Sequence, residues 1–182
     1  LEVDPDRHAF GLSLVMSRGQ TLFVADTAVH EVLSAEQIAD IAEKTSEVAR
    51  SLGHNPRIAL ISYSNVGHPE LARAEVVRDA VKLLDKRNVS FEYDGEMTVE
   101  VALNEEVMKN YPFCRLTGPA NILIMPSLHT SQVSTQLLKE LGGGTVLGPV
   151  LMGLSKPAQI VPMGTTVSEM VNMAALAAQS AD

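Results

Sequence analysis

Asp94 and Glu96 lie on either side of Gly95, and two carboxylates so close could share acid and base duties. Asp94-Gly95 is also ordinary turn chemistry, and the sequence predicts a turn there. The run Ser62-Tyr63-Ser64-Asn65-Val66-Gly67-His68-Pro69 is small and polar and enters a predicted helix. Free N–H groups and the positive end of a helix dipole suit phosphate, although an ordinary βα loop reads the same way. Ser127 and His129 follow a predicted buried strand, Lys156 adds a movable cation, and Met163, Gly164 and Thr166 precede the last predicted helix. Ser62, Ser64, Asn65, Gly67, Ser127, His129, Lys156, Met163, Gly164 and Thr166 are therefore the candidate ligand residues. Thr166 and Glu169 have capping-box spacing, so a cap competes with any catalytic use of Glu169. The histidines at 8, 30, 54, 68 and 129 stand at no metal-ligand spacing, and no metal site is expected.

These residues need a scaffold, and the stretch from Gly118 to Pro157 supplies its clearest part. Ile122 to Met125 is a four-residue apolar run ending at Pro126, the mark of a strand buried on both faces. Thr130 to Leu141 carries Val133, Leu137, Leu138 and Leu141 at helical spacing, and Gly142-Gly143-Gly144 stops it. Thr145 to Leu147 resumes as a strand that is expected to break at Gly148-Pro149. The result is a βαβ unit with ligands expected beyond the carboxyl ends of its strands.

Upstream, Phe10–Val15 and Thr21–Ala25 read as a hairpin, after an irregular lead-in over residues 1–7. Ser34 to Leu52 reads as a helix with a Ser34/Gln37 capping box and Gly53 as terminator. Arg57–Ser62 is a strand, residues 69–86 a helix, Val89–Tyr93 a short strand and residues 98–109 one helix closed by Tyr111-Pro112-Phe113. The fold class is α/β, a mainly parallel sheet flanked by helices.

The 182 residues suffice for one domain with a core or two small lobes. Hydrophobic residues make up 46% but aromatics only 4%, so the core must be aliphatic. Net charge of −8 disfavours nucleic acid, whose backbone needs clustered Lys and Arg. No apolar run approaches the roughly 18 residues that span a membrane. The single cysteine, Cys114, rules out an internal disulfide and fits a reducing cytoplasm.

The chain resembles phosphate acetyl/butyryltransferases in Gly118-Pro119-Ala120-Asn121, Pro126, Gly148-Pro149 and Gly153-Leu154-Ser155-Lys156-Pro157. Asp26-Thr27, Ser62-Tyr63-Ser64, Asp94-Gly95-Glu96 and Val171-Asn172-Met173 add to this. Asn110-Tyr111-Pro112-Phe113, Gly142-Gly143-Gly144 and Gln159-Ile160-Val161-Pro162-Met163 resemble the phosphotransacetylase-like C-terminal region of long bacterial NADP-dependent malic enzymes. The resemblance implies a partial isocitrate/isopropylmalate dehydrogenase-like fold. About 11–120 would form one lobe and about 121–182 return to a second, with an N-terminal portion absent.

It also implies acetyl-CoA or CoA as ligand, a two-fold homo-oligomer, and NADP and a divalent metal in an absent malic domain. Family members carry Ser-Arg-Gly followed by an Asp near the end. The matching positions here are Pro162, Met163, Gly164 and Glu169, so the cation is gone and no catalytic residue is expected. Thr-Lys-Gly is likewise replaced by Asn65-Val66-Gly67. The function this implies is a regulatory acetyl-CoA site without transferase chemistry. An active acetyltransferase and a ligand-free assembly module are the alternatives.

Overall fold

A computed structural model describes residues 8–17, 19–65, 72–142, 144–161 and 163–179. The lead-in and residues Val66 to Leu71, with Gly67, His68 and Pro69, lie outside the described residues, as do Gly143 and Pro162.

Strands β1 (Phe10–Ser17) and β2 (Gln20–Ala25) form the expected antiparallel hairpin. Helix α1 (Ala35–Ser51) is capped as its sequence requires: Ser34 Oγ accepts from Gln37 N, and Gln37 Oε1 accepts from Ser34 N. Gly53, at φ +82, takes up the left-handed conformation that ends it. Strand β3 (Arg57–Ile61), helix α2 (Ala72–Arg87) and strand β4 (Glu92–Met97) follow, then α3 (Val99–Leu103), α4 (Glu105–Met108), β5 (Ile122–Ile124), α5 (Leu128–Leu141), β6 (Thr145–Met152) and α6 (Val167–Gln179).

The six strands form one sheet in the order β4-β3-β5-β2-β1-β6. Strands β4, β3, β5 and β2 are parallel neighbours, and β1 is antiparallel to both β2 and β6. β6 therefore runs with β5, and α5 carries the chain between them across two intervening strands. The sheet crosses the lobe boundary expected near residue 120, since β5 and β6 lie in it with the earlier strands.

Strand side chains alternate between two mainly aliphatic cores, the first of which also holds Phe10 and Phe23, as a sheet covered on both faces demands. Leu12, Leu14, Phe23, Ala25, Ile58, Leu60, Ile122 and Ile124 pack with α1 and α2. Val15, Val24, Ala59, Ile61 and Leu123 pack with Met97, Val101, Ala102 and Met108. The architecture is thus a helix–sheet–helix sandwich.

Four sequence expectations need correction. Asp94-Gly95-Glu96 is the inside of β4, not a turn. A Cβ on Gly95 would sit 2.6 Å from Leu60 Cβ and 2.8 Å from Leu60 O, so close approach of β3 explains the glycine. The single helix expected over 98–109 is two short ones, because Asn104 ends α3 and its side chain caps α4 through the Glu106 and Val107 amides. Gly148-Pro149 does not break β6; the strand is an edge strand, where a missing N–H is tolerated, and its register shifts opposite that point. Helix α5 starts at Leu128 rather than Thr130, with Ser127 as its cap.

Candidate functional site

The carboxyl ends of β2, β3, β4, β5 and β6 share one edge of the sheet with the start of β1. In open α/β sheets this edge is where ligands bind. Two buried carboxylates organise it.

The first is Asp26, just beyond β2 and fully buried. Its Oδ1 accepts from the amides of Gly11 at 2.7 Å, Ala28 at 2.8 Å and Val29 at 3.1 Å. Its Oδ2 takes the amide of His30 at 2.8 Å and faces His30 Nδ1 at 2.7 Å. Asp26 thus ties the start of β1 to the turn after β2. Beside it the Ser13 and Thr27 hydroxyls meet at 3.0 Å.

The second is Glu96, at the end of β4 and 1% exposed. Its Oε1 accepts from the Ser64 hydroxyl at 2.6 Å, and its Oε2 from Arg78 Nη1 at 2.8 Å. The Ser62 and Ser64 hydroxyls are 3.2 Å apart. Asn65 Oδ1 accepts from the Thr98 amide at 2.7 Å. The loop after β3 is thereby strapped to the end of β4 by side-chain bonds on both sides. Asp94, the proposed partner of Glu96 in acid–base work, is committed elsewhere. It accepts from the Gly95 and Arg115 amides.

Ser127 Oγ caps α5, accepting from the Thr130 amide at 3.3 Å, and lies 2.8 Å from the Thr130 hydroxyl. The Leu128 amide reaches the His30 carbonyl at 3.1 Å, which joins this strand end to the Asp26 turn. His129 is exposed in the first turn of α5, and Lys156 is exposed beyond β6.

The structure therefore brings Ser62, Ser64, Asn65, Ser127 and His129 to one edge, and Lys156 follows the strand that ends there. Gly164 and Thr166 are placed differently. Thr166 opens α6 with Glu169, and Glu169 Oε1 lies 3.7 Å from Lys139 Nζ. Lys139 is eleven residues on from Leu128 in α5, about 16 Å along its axis. The α6 start thus sits with the far end of α5, away from the edge that holds Ser127. Met163 is fully exposed, and nothing lies within 4 Å of a Cβ built on Gly164. Gly67 and Pro162 fall outside the described residues.

Glu169 behaves as a cap. Its Oε2 accepts from the amide and hydroxyl of Thr166, each at 2.8 Å, while the Glu169 amide donates back to the Thr166 hydroxyl. The Thr166 amide, then its hydroxyl, hold the carboxyl below its usual range, and Lys139 adds to this. Burial pushes the Cys114 thiol up, away from nucleophilic use. No group of three or more metal-ligating side chains occurs among the described residues, and none of their helices is long and apolar enough to cross a membrane.

A family model described as phosphate acetyl/butaryl transferase matches residues 5–178. The chain belongs to that family. An NADP-dependent malic enzyme of Rhizobium meliloti is 51% identical over 181 residues, which is 100% of this chain but 24% of that protein. A phosphate acetyltransferase of Treponema pallidum is 35% identical over 159 residues, 85% of this chain and 47% of that enzyme. Among solved structures, the EutD phosphotransacetylase from Staphylococcus aureus superposes with a TM-score of 0.88 at 26% identity, over 97% of this chain and 55% of its own. The chain spans about a quarter of the malic enzyme relative's length, and the match lies in that protein's C-terminal part.

Within the phosphate acetyl/butaryl transferase family, sequence reasoning named the loop after β3 and the end of β5 but missed what holds them. Arg78 gave no signal, since it reads as one more polar position beside Val77. Asp26 and Glu96 stood in motifs and gained their roles only from the sheet that buries them.

Proposed function

We propose that this chain is the regulatory C-terminal region of an NADP-dependent malic enzyme, binding acetyl-CoA at the carboxyl edge of its sheet and lacking transferase chemistry. The observation that carries the reading is the 51% identity to the C-terminal part of a malic enzyme, with the whole of this chain aligned. In the parent, oxidative decarboxylation of malate, NADP and a divalent metal belong to the rest of the protein. Acetyl-CoA lies downstream of pyruvate, so it fits an inhibitor.

The loss of transferase chemistry is supported by the last turn of sequence. Acyl phosphate needs a guanidinium or an equal cation, and the family's Arg position is Met163. Withdrawing one preorganised transition-state contact costs on the order of 3 kcal/mol, or about a hundredfold in rate. Glu169, at the position of the family's Asp, spends both oxygens on α6 and Lys139.

The test uses the full-length parent. Titration calorimetry with acetyl-CoA should give saturable binding, and malate oxidation should fall as acetyl-CoA rises. Lys156→Ala should weaken that response. Acetyl phosphate formation from acetyl-CoA and phosphate should stay at background. Turnover of about 1–1000 per second, the ordinary enzyme range, would replace this reading with an active acetyltransferase. No heat and no inhibition would leave an assembly module.

A further inference from the structure

The hydrogen-bond chain Ser62–Ser64–Glu96–Arg78 has only one consistent proton order. The Glu96 carboxylate pairs with the Arg78 guanidinium at 2.8 Å and has acceptors only. A hydroxyl owns one proton, and that of Ser64 is spent on Glu96 Oε1 at 2.6 Å. The 3.2 Å contact between the two serines must then run from the Ser62 hydroxyl to the Ser64 oxygen. Ser62 is left with no proton to give and with lone pairs still to fill. The Ser62 amide is also taken, by the Met97 carbonyl at 2.9 Å.

We propose that Ser62 is a specificity-determining acceptor at this edge, which takes an N–H group of the bound ligand and does not hold a phosphate. This rests on the regulatory acetyl-CoA reading and deepens it. Coenzyme A offers such donors in the amides of its long arm and in the amine of its adenine. Its phosphates carry acceptors only, and an acceptor facing an acceptor is repulsive. The Ser62 and Ser64 hydroxyls thus have no proton for phosphate, and phosphates must find their donors elsewhere on the edge. Ser64 is the deeper of the two, 2% exposed against 9% for Ser62, so it relays the order without meeting the ligand. Glu96 and Arg78 are positioning residues, since they act through Ser64.

A crystal structure of the full-length parent with acetyl-CoA reads the contact directly. The expected result is a nitrogen of the ligand within hydrogen-bond distance of Ser62 Oγ, with the Ser62–Ser64–Glu96 chain intact. In solution, Ser62→Ala should weaken acetyl-CoA binding by roughly three- to tenfold, the loss of one net hydrogen bond. Ser64→Ala should weaken it as well, and Ser64→Thr, which keeps the hydroxyl, should restore it. A phosphate oxygen on Ser62 Oγ, or Ser62→Ala binding like the unmodified protein, overturns the proposal and leaves the regulatory reading standing. Failure of the unmodified protein to bind acetyl-CoA overturns both.

Discussion

Oε2 of Glu169 receives both the amide and the hydroxyl of Thr166 at 2.8 Å, closing the first turn of α6 on itself. The carboxylate form makes these bonds, and they hold its pKa below the ordinary value of 4.5. A depressed carboxyl contributes stability above its unfolded pKa and loses it as pH falls through the folded one. The start of α6 should therefore loosen below about pH 4.5, before the sheet does. Amide exchange at Val167 to Met170 as pH falls would report it, and Glu169→Gln should remove the acid-sensitive part. Equal protection at every pH would contradict the cap.

Much of this was legible in the sequence because local rules and tertiary fold agreed. The Ser34/Gln37 box, Gly53, the apolar run at Ile122 and the hairpin before Asp26 each follow from a few neighbouring residues. The failures at Gly95 and Pro149 share a cause: a local breaker signal met a non-local demand, whereas at Asn104 a local cap was read as helix interior. Gly95 is required by Leu60, thirty-five positions earlier, and Pro149 is tolerated because β6 is an edge. The candidate loops could be named from strand ends alone. The carboxylates that hold them depend on which strands become neighbours, and spacing within one segment does not carry that.

Asp26 should be the most costly polar position at this edge. Asp26→Asn would turn a group that accepts from four backbone amides into one that presents an NH2 to some of them. Leaving a buried donor unsatisfied costs about 1–3 kcal/mol, against a total stability of roughly 5–15 kcal/mol. Chemical denaturation should show a large fall in the midpoint. His30→Ala, which removes only the ring contact to Oδ2 and keeps all four amides, should cost clearly less.

Tyr93 gives the chain an alkaline limit. Burial, then its hydrogen bond to Asp85 at 2.6 Å, push the phenol up to about 12. Asp85 in turn is held below its usual range, first by Arg115 and then by Tyr93. A raised pKa contributes stability that is complete below the unfolded value near 10 and is lost as pH rises through about 12. Denaturation midpoints should therefore decline between pH 10 and 12, and Tyr93→Phe should flatten that decline. An ultraviolet titration placing Tyr93 near 10 would remove the basis for it.

The last prediction concerns assembly. Helix α5 exposes Val133, Leu137, Leu138 and Leu141, and α6 exposes Val167, Met170 and Val171. The Lys139–Glu169 contact brings the end of one helix near the start of the other. Exposed apolar surface, where contiguous, marks interaction sites, and a homo-oligomer most often closes it with a two-fold, self-complementary contact. A stable dimer would need to bury on the order of 1,000 Å² or more. Sedimentation of the full-length parent at micromolar concentration should show self-association, and Leu137→Asp with Val171→Asp should shift it towards monomer without unfolding the sheet. A parent that sediments as monomer, or one whose association ignores both charges, would assign these faces to contacts within a single chain.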